Sequence, residues 1–315
     1  MGIWGAMGTN ELRINNLRIH AKNPKGDKEI VKGISFSVRE GERLAIVGES
    51  GCGKIMTVMS MFQLLPGGCY ASGEVLLNDI NLLDSKKIAK MRGRDVILIP
   101  QSGMEFLDPV FKIKTQINET LKLLGVPKKQ WHDKAIELLK KVGLQNPETV
   151  LEQYPFEISG GMAQRVILAI GIAADPKVIV ADEPTRGIDS EGVDTFIEML
   201  ETLFADKILI VVTHNIKVAE HCSRMLVMYN GEIMELGDSK EILEHTTHPY
   251  SKSLLRDIPT NREFLVSSDV YHKAQGEKER GCPYYSRCRT ADGICKEKHP
   301  DLTLSDSILR RCFHA

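Results

Sequence analysis

The sequence predicts an α/β fold: a core of buried parallel strands with an antiparallel β edge, a helical insertion, and a small Cys-rich module at the C-terminal end. Three observations carry that prediction. Residues 44–47 (Leu-Ala-Ile-Val), 96–99, 178–181 and 208–212 are short, wholly apolar runs, the pattern of strands covered on both faces. Residues 12–19 and 34–38 instead alternate apolar and polar side chains, as half-buried strands do. Trp131, Ala135, Leu138, Leu139 and Val142 recur at helical spacing with Lys and Glu between them.

Taken in order, residues 1–10 lack a basic start followed by an apolar run and read as a loose leader, with Met7 an alternative start. Residues 23–27 (Asn-Pro-Lys-Gly-Asp) form the turn between the two alternating strands. The run 44–47 closes on Gly48 and leads to a helix over 55–65. Residues 102–165 form the helical subdomain. Residues 224–228 and 232–236 flank Tyr229-Asn230-Gly231, a strand–turn–strand signal. After about Thr246 the patterns fade, 269–279 is polar, and the Cys cluster follows. The expected division is therefore a leader 1–10, a core 11–245 and a C-terminal extension 246–315. A net charge of -1 gives no electrostatic footprint for nucleic acid. Seven Cys in 315 residues do not suggest a small disulfide scaffold. The longest apolar-plus-Gly stretch, 166–174, is too short to cross a bilayer, so work at a membrane would need another chain to span it.

Gly48, Glu49, Ser50, Gly51, Cys52, Gly53 and Lys54 stand between a buried strand and a helix. Glycines let backbone N–H groups turn inward around phosphate oxygens, a helix N-terminus favours an anion, and Lys54 would reach the β- and γ-phosphates. A chance Gly-rich turn is the bland alternative, and the seven matched positions argue against it. One position departs from the motif. Ile55, followed by Met56, stands where Ser or Thr would bring a hydroxyl to Mg²⁺. Thr57 lies about 200° around the helix and is a poor substitute. Weaker Mg²⁺ retention is expected, unless a water replaces the hydroxyl.

Asp182 and Glu183 end the apolar run 178–181. Strand ends at a sheet's carboxyl edge are where α/β ligands sit. There Asp182 would hold Mg²⁺ and Glu183 would act as general base. Taken alone, the pair reads equally well as a solvated strand edge. Residues 158–165 (Ile-Ser-Gly-Gly-Met-Ala-Gln-Arg), with Ser159, Gly160, Gly161 and Gln164, resemble the signature motif of ATP-binding cassette (ABC) proteins. Gln101, the run Gly187-Ile188-Asp189, and His214 after the run 208–212 follow the same family's order. The resemblance covers roughly 12–237 and implies a P-loop NTPase of the ABC cassette type. It further implies that two cassettes pair head to tail, with ATP between the phosphate loop of one and the Ser-Gly-Gly helix of the other. Gln101 would sense Mg²⁺ and the attacking water, Asp182 would hold Mg²⁺, and His214 would contact the γ-phosphate. Asp189 would belong to the shared site, and His20 is a candidate to stack on adenine. The segment 101–108 would dock on a membrane subunit.

Cys282, Cys288, Cys295 and Cys312 are spaced C-x5-C-x6-C-x16-C. Zinc sites show tighter pairs, and four thiolates also suit an iron–sulfur cluster. Cys52, Cys69 and Cys222 are isolated and read as packing residues. Residues 281–288, 299–302 and 248–255 resemble the C-terminal extension of the peptide/nickel importer cassettes. That resemblance implies a [4Fe-4S] cluster on the four Cys, with zinc less favoured, in a structural role. Tyr154-Pro155-Phe156-Glu157 and Met162 resemble the first of the two unlike cassettes of such importers. The implied partners are a second, unlike ATPase subunit, two transmembrane permease subunits and, indirectly, an extracytoplasmic substrate-binding protein. The implied location is the cytoplasmic face of the membrane, and the implied cargo is a peptide, nickel or a metal chelate. Two rivals differ in class. A non-hydrolysing regulatory cassette is favoured by Ile55 and opposed by Glu183 and His214. A soluble cassette ATPase of repair or translation would carry a coiled-coil insertion or a second cassette, and the sequence has neither.

Overall fold

The computed structural model describes residues 10–24, 26–186, 188, 190–256 and 281–315. The leader 1–9, Gly187 and Asp189 of the expected shared site, and the polar run 269–279 lie outside the described residues. The chain divides into two compact units, Met1–Ser85 with Val211–Ala315, and Lys86–Ile210.

The first unit opens with β1 (Glu11–Ala21) and β2 (Lys28–Arg39), paired antiparallel. Next come β3 (Arg43–Gly48), the helix α1 (Lys54–Met61), β4 (Cys69–Leu77) and β5 (Ile80–Asn81), and four of these strands make an antiparallel sheet ordered β2-β1-β4-β5. The alternation over 12–19 is not one continuous phase. Leu12, Ile14, Leu17 and Ile19 are all fully buried, although Ile14 and Leu17 differ by an odd step. A bulge at Asn16, whose φ is 45°, shifts the register and restores the apolar face. α1 is shorter than the expected 55–65. Gln63 takes a left-handed φ of 52° and stops it ahead of Pro66.

The second unit begins with α2 (Ser85–Met91) and β6 (Val96–Ile99). Five helices follow: α3 (Gly103–Phe106), α4 (Ile113–Leu123), α5 (Trp131–Lys141), α6 (Pro147–Glu152) and α7 (Gly160–Ile172). Then come β7 (Val178–Asp182), α8 (Ser190–Leu203) and β8 (Ile208–Val212). β6 runs parallel to β7, with Ile99 opposite Ala181. α5 buries Ala135, Leu138 and Leu139, the stripe read from the sequence. α3 approaches α7 closely, and a Cβ at Gly103 would lie 2.6 Å from the backbone of Ala163 and Gln164.

The first unit resumes with α9 (Ile216–Glu220), β9 (Arg224–Tyr229) and β10 (Glu232–Asp238). β3 is buried from Leu44 to Gly48 and runs parallel to β9. Asn230 and Gly231 turn between β9 and β10 with φ of 48° and 81°. A Cβ at Gly231 would meet the carbonyl of Ile30, so only glycine fits there. Beyond Thr246, where the sequence patterns fade, the described residues still hold regular structure. After α10 (Ser239–His245) come α11 (Pro249–Arg256), α12 (Gly293–Glu297), β11 (Thr303–Ser305) and β12 (Ile308–Arg310). β12 pairs antiparallel with β10, setting Arg310 opposite Glu235. β11 pairs antiparallel with β12, and these two strands have three residues each, too few to show a period.

Candidate nucleotide site and thiol pocket

In the first unit β3 ends at Gly48, which must be glycine: a Cβ there would strike the carbonyl of Met228, and Cys52 Sγ would be 2.9 Å away. Gly51 and Gly53 also take positive φ, 77° and 109°. These turns bring the chain round to α1, whose first turn has no side-chain cap, so its leading N–H groups are donors for an anion. Lys54 Nζ is held in the loop by the carbonyls of Gly48 at 2.6 Å and Glu49 at 3.0 Å. Cys52 is buried beneath the loop, and burial pushes its thiol pKa up, so it packs there as an inert residue. Ser50 is exposed and Met56 half-buried.

Ile55 is 37% exposed at the head of α1. Thr57 is fully buried and donates its hydroxyl to the Gly53 carbonyl at 3.0 Å. The buried Ser60 donates to the Thr57 carbonyl at 2.7 Å. These two hydroxyls are therefore engaged inside the fold, and neither takes the place of the one Ile55 lacks. Thr213 N donates to Ile46 O at 3.2 Å, so His214 leaves the sheet beside the strand end that opens the loop. Asn215 then caps α9. His20 stacks on Tyr70 with centroids 5.2 Å apart. The sequence points to His20 alone, because Tyr70 comes from β4, distant along the chain.

In the second unit Asp182 ends β7, and Glu183 follows with a φ of 44°, uncommon for a residue with a side chain. The β6–β7 register brings Gln101 and Glu183 to neighbouring strand ends. Ser159 caps α7 by accepting from Met162 N at 3.3 Å. A Cβ added at Gly160 or Gly161 would meet nothing within 4 Å, so packing within the chain does not require those two glycines. Gln164, grouped with the nucleotide residues in the sequence reading, is turned inward. It is 2% exposed and donates to Pro100 O at 3.0 Å, bracing the backbone just before Gln101.

The four tail cysteines come together. Cys282, Cys288, Cys295 and Cys312 line one pocket with His248, Tyr284 and His314 among its other walls. All four are free thiols. Burial, with the neighbouring thiols adding to it, pushes the Cys282 pKa up to about 11, and burial also raises Cys295 and Cys312. A bound cation would relieve that cost of ionisation, so the donor set fits a four-thiolate metal group. Asp292, Cys295 and His314 offer a second set of close donor atoms. Asp292 already accepts the N–H groups of Ile294 and Cys295 as the cap of α12. Among the described residues no helix is long and apolar enough to cross a membrane.

Two residues of the C-terminal extension reach the phosphate loop, and the sequence reading assigned neither to it. Tyr250 accepts a hydrogen bond from Glu49 N, and Arg287 grips the Glu49 carboxylate. Tyr250 lies in the 248–255 run and Arg287 directly precedes Cys288, but nothing local signals a partner some 200 positions away along the chain.

Residues 31–186 match the ABC transporter family, and residues 234–295 match the oligopeptide/dipeptide transporter C-terminal region. The dipeptide transport ATP-binding protein DppD of Haemophilus influenzae is 37% identical over 304 residues, covering 92% of this chain and 91% of that protein. The dipeptide transport ATP-binding protein DppD of Escherichia coli is 33% identical, covering 96% of both. The oligopeptide transport ATP-binding protein OppD of Bacillus subtilis is 38% identical over 80% of this chain and 73% of its own. An ATP-binding cassette solved as a dimer in a post-hydrolysis state with ADP and Pi is 26% identical with a TM-score of 0.63. It covers 72% of this chain and 98% of its own.

Proposed function

Because the chain belongs to the ATP-binding subunits of ABC transporters, in the group whose members carry the oligopeptide/dipeptide C-terminal region, we propose that it is the ATPase that drives a peptide importer. The observation that carries the reading is the span of the likeness. Relatives named for dipeptide transport match over 92% and 96% of this chain. Those names favour a peptide cargo over nickel or a metal chelate.

Gly48–Lys54 would cradle the triphosphate of ATP, with Lys54 moving from the loop carbonyls to the phosphates. Asp182 and Gln101 would attend Mg²⁺, Glu183 would take a proton from the attacking water, and His214 would hold the γ-phosphate. The open helix start at Ser159, Gly160 and Gly161 supports a site shared with a second cassette: glycines that the chain's own packing does not need leave room for a ligand or partner backbone. Adenine would stack on the ring pair His20–Tyr70.

Ile55 favours a second reading of this chain's own phosphate loop. With no hydroxyl for Mg²⁺ there, the loop binds nucleotide but turns it over slowly, and an unlike partner cassette carries most of the hydrolysis. Cys282, Cys288, Cys295 and Cys312 would hold a [4Fe-4S] cluster. When bound, the cluster supplies a four-point covalent tie across the C-terminal extension. Two transmembrane permease subunits complete the assembly at the cytoplasmic face of the membrane, fed from outside by a substrate-binding protein.

The test is reconstitution of the chain with its partner ATPase, permeases and binding protein in proteoliposomes. ATP hydrolysis should rise on adding a di- or oligopeptide. Hydrolysis that responds to nickel or a metal chelate and not to peptides would overturn the cargo assignment, and absence of ATP binding would overturn the whole reading.

A further inference from the structure

We propose that Arg287 and Tyr250 are positioning residues of the nucleotide site, through which the C-terminal extension holds the phosphate loop in its anion-binding shape. The inference rests on the reading of Gly48–Lys54 as that loop. Glu49 is the first residue beyond β3, and both of its polar ends are held by the extension. Its main-chain N–H donates to Tyr250 Oη at 3.0 Å, and Tyr250 Oη donates onward to Met228 O at 3.2 Å. Its carboxylate is gripped by a fork of two bonds, Arg287 Nη1 to Oε2 and Nη2 to Oε1, each 2.8 Å. Bidentate pairing of this kind fixes geometry as well as charge.

The clamp is itself rigid. The guanidinium lies over the rings of Tyr229 at 5.7 Å and Tyr284 at 5.5 Å. Tyr229, Tyr250 and Tyr284 pack on one another at 4.7 to 5.3 Å. Tyr250 is 1% exposed. Both carboxylate and guanidinium are mostly shielded, with side-chain exposures of 22% and 24%, so the pair is poorly screened by solvent.

Two consequences follow for a triphosphate. The clamp neutralises an acidic side chain that stands one residue from Gly48 and would otherwise repel the phosphates. It also draws the Glu49 backbone toward the extension, which keeps the cradle open. Arg287 ends the short 3-10 turn Tyr285–Arg287. The next residue, Cys288, lines the thiol pocket and donates its N–H to Tyr284 O at 3.0 Å. The pocket thereby adjoins the residues that hold the phosphate loop, through Arg287 next to Cys288 and through Tyr284 packed on Tyr250.

The experiment is isothermal titration of ATP into the full-length chain, its variants and a double-mutant cycle, with thermal midpoints measured alongside. Arg287→Ala should weaken ATP binding about tenfold. Combining it with Glu49→Gln should recover most of that loss, because the unpaired carboxylate is then gone. Arg287→Lys keeps the charge but not the fork, and should weaken binding about threefold; it also provides the measurement if the alanine variant does not fold. A purely structural contact would lower the thermal midpoint and leave ATP affinity within about twofold of the parent. That result, or losses from Arg287→Ala and Glu49→Gln that simply multiply, overturns the proposal. A parent chain that binds no ATP overturns both this proposal and the function it rests on.

Discussion

At the scale of single residues, Ile55 and Glu232 give the sharpest expectations. Ile55 is an exposed aliphatic side chain at the head of α1, and the hydroxyl of Thr57 is tied to Gly53 O. Ile55→Ser should therefore raise Mg²⁺-dependent single-turnover hydrolysis at this loop by at least about tenfold, while ATP affinity without Mg²⁺ stays near the parent. Equal rates and equal Mg²⁺ dependence in the two proteins would remove the idea of a slow loop. Glu232 tests the charge network under β10. Burial would raise its carboxyl, but His299 at 2.7 Å, Lys32 at 3.7 Å and Arg311 at 3.6 Å hold it below the usual carboxylate range. The unfolded chain then binds more protons than the folded one between the two pKa values. The stability from this group is complete above the ordinary carboxylate pKa and is lost as pH falls through the lowered one. Glu232→Gln should lower the thermal midpoint near neutrality, and the gap should close below about pH 4. A gap of constant size across that range contradicts this account.

At the scale of elements, two close contacts decide local packing. β12 is fixed to β10 by Arg310, which donates from Nε to Glu235 at 3.0 Å, with side-chain exposures of 5% and 0%. Thr246 donates to the other carboxylate oxygen at 2.6 Å. Arg310→Ala leaves Glu235 buried without its guanidinium partner and should cost about 3–5 kcal/mol in chemical denaturation, whereas Arg310→Met with Glu235→Leu should cost far less. Equal losses in the two variants would contradict a desolvation origin. Gly103 lets α3 lie against α7, where the obstruction to a Cβ is backbone and not a movable side chain. Gly103→Ala should cost about 1–3 kcal/mol by the same assay. Neither contact shows in a periodic pattern, since one joins a strand of three residues and the other turns on the absence of a side chain.

At the scale of the whole molecule, the C-terminal extension is tied into the fold at several points: the Glu235–Arg310 pair, the Glu232 network, the tyrosine cluster and the Arg287 fork. If the thiol pocket holds the proposed metal group, stripping it with a chelator should weaken ATP binding in the parent chain but not further in Arg287→Ala, as read by titration calorimetry; an equal loss in both would separate the pocket from the loop. The sequence by itself determined the class of the fold, because apolar runs, alternation and helical stripes follow the strand and helix repeats directly. The Gly-rich loop ahead of α1, the Ser-Gly-Gly start of α7 and the clustered tail cysteines were also legible there as short motifs, while their roles toward nucleotide and metal stand as proposals. Only the tertiary structure decided that Asn16 resets the phase of β1, that Gln164 turns inward, that Tyr70 joins His20, and that Glu49 is held by Tyr250 and Arg287. Each of these depends on residues far apart in the chain meeting at hydrogen-bonding or ring-contact distance, and such meetings are fixed by strand register and packing rather than by any local pattern.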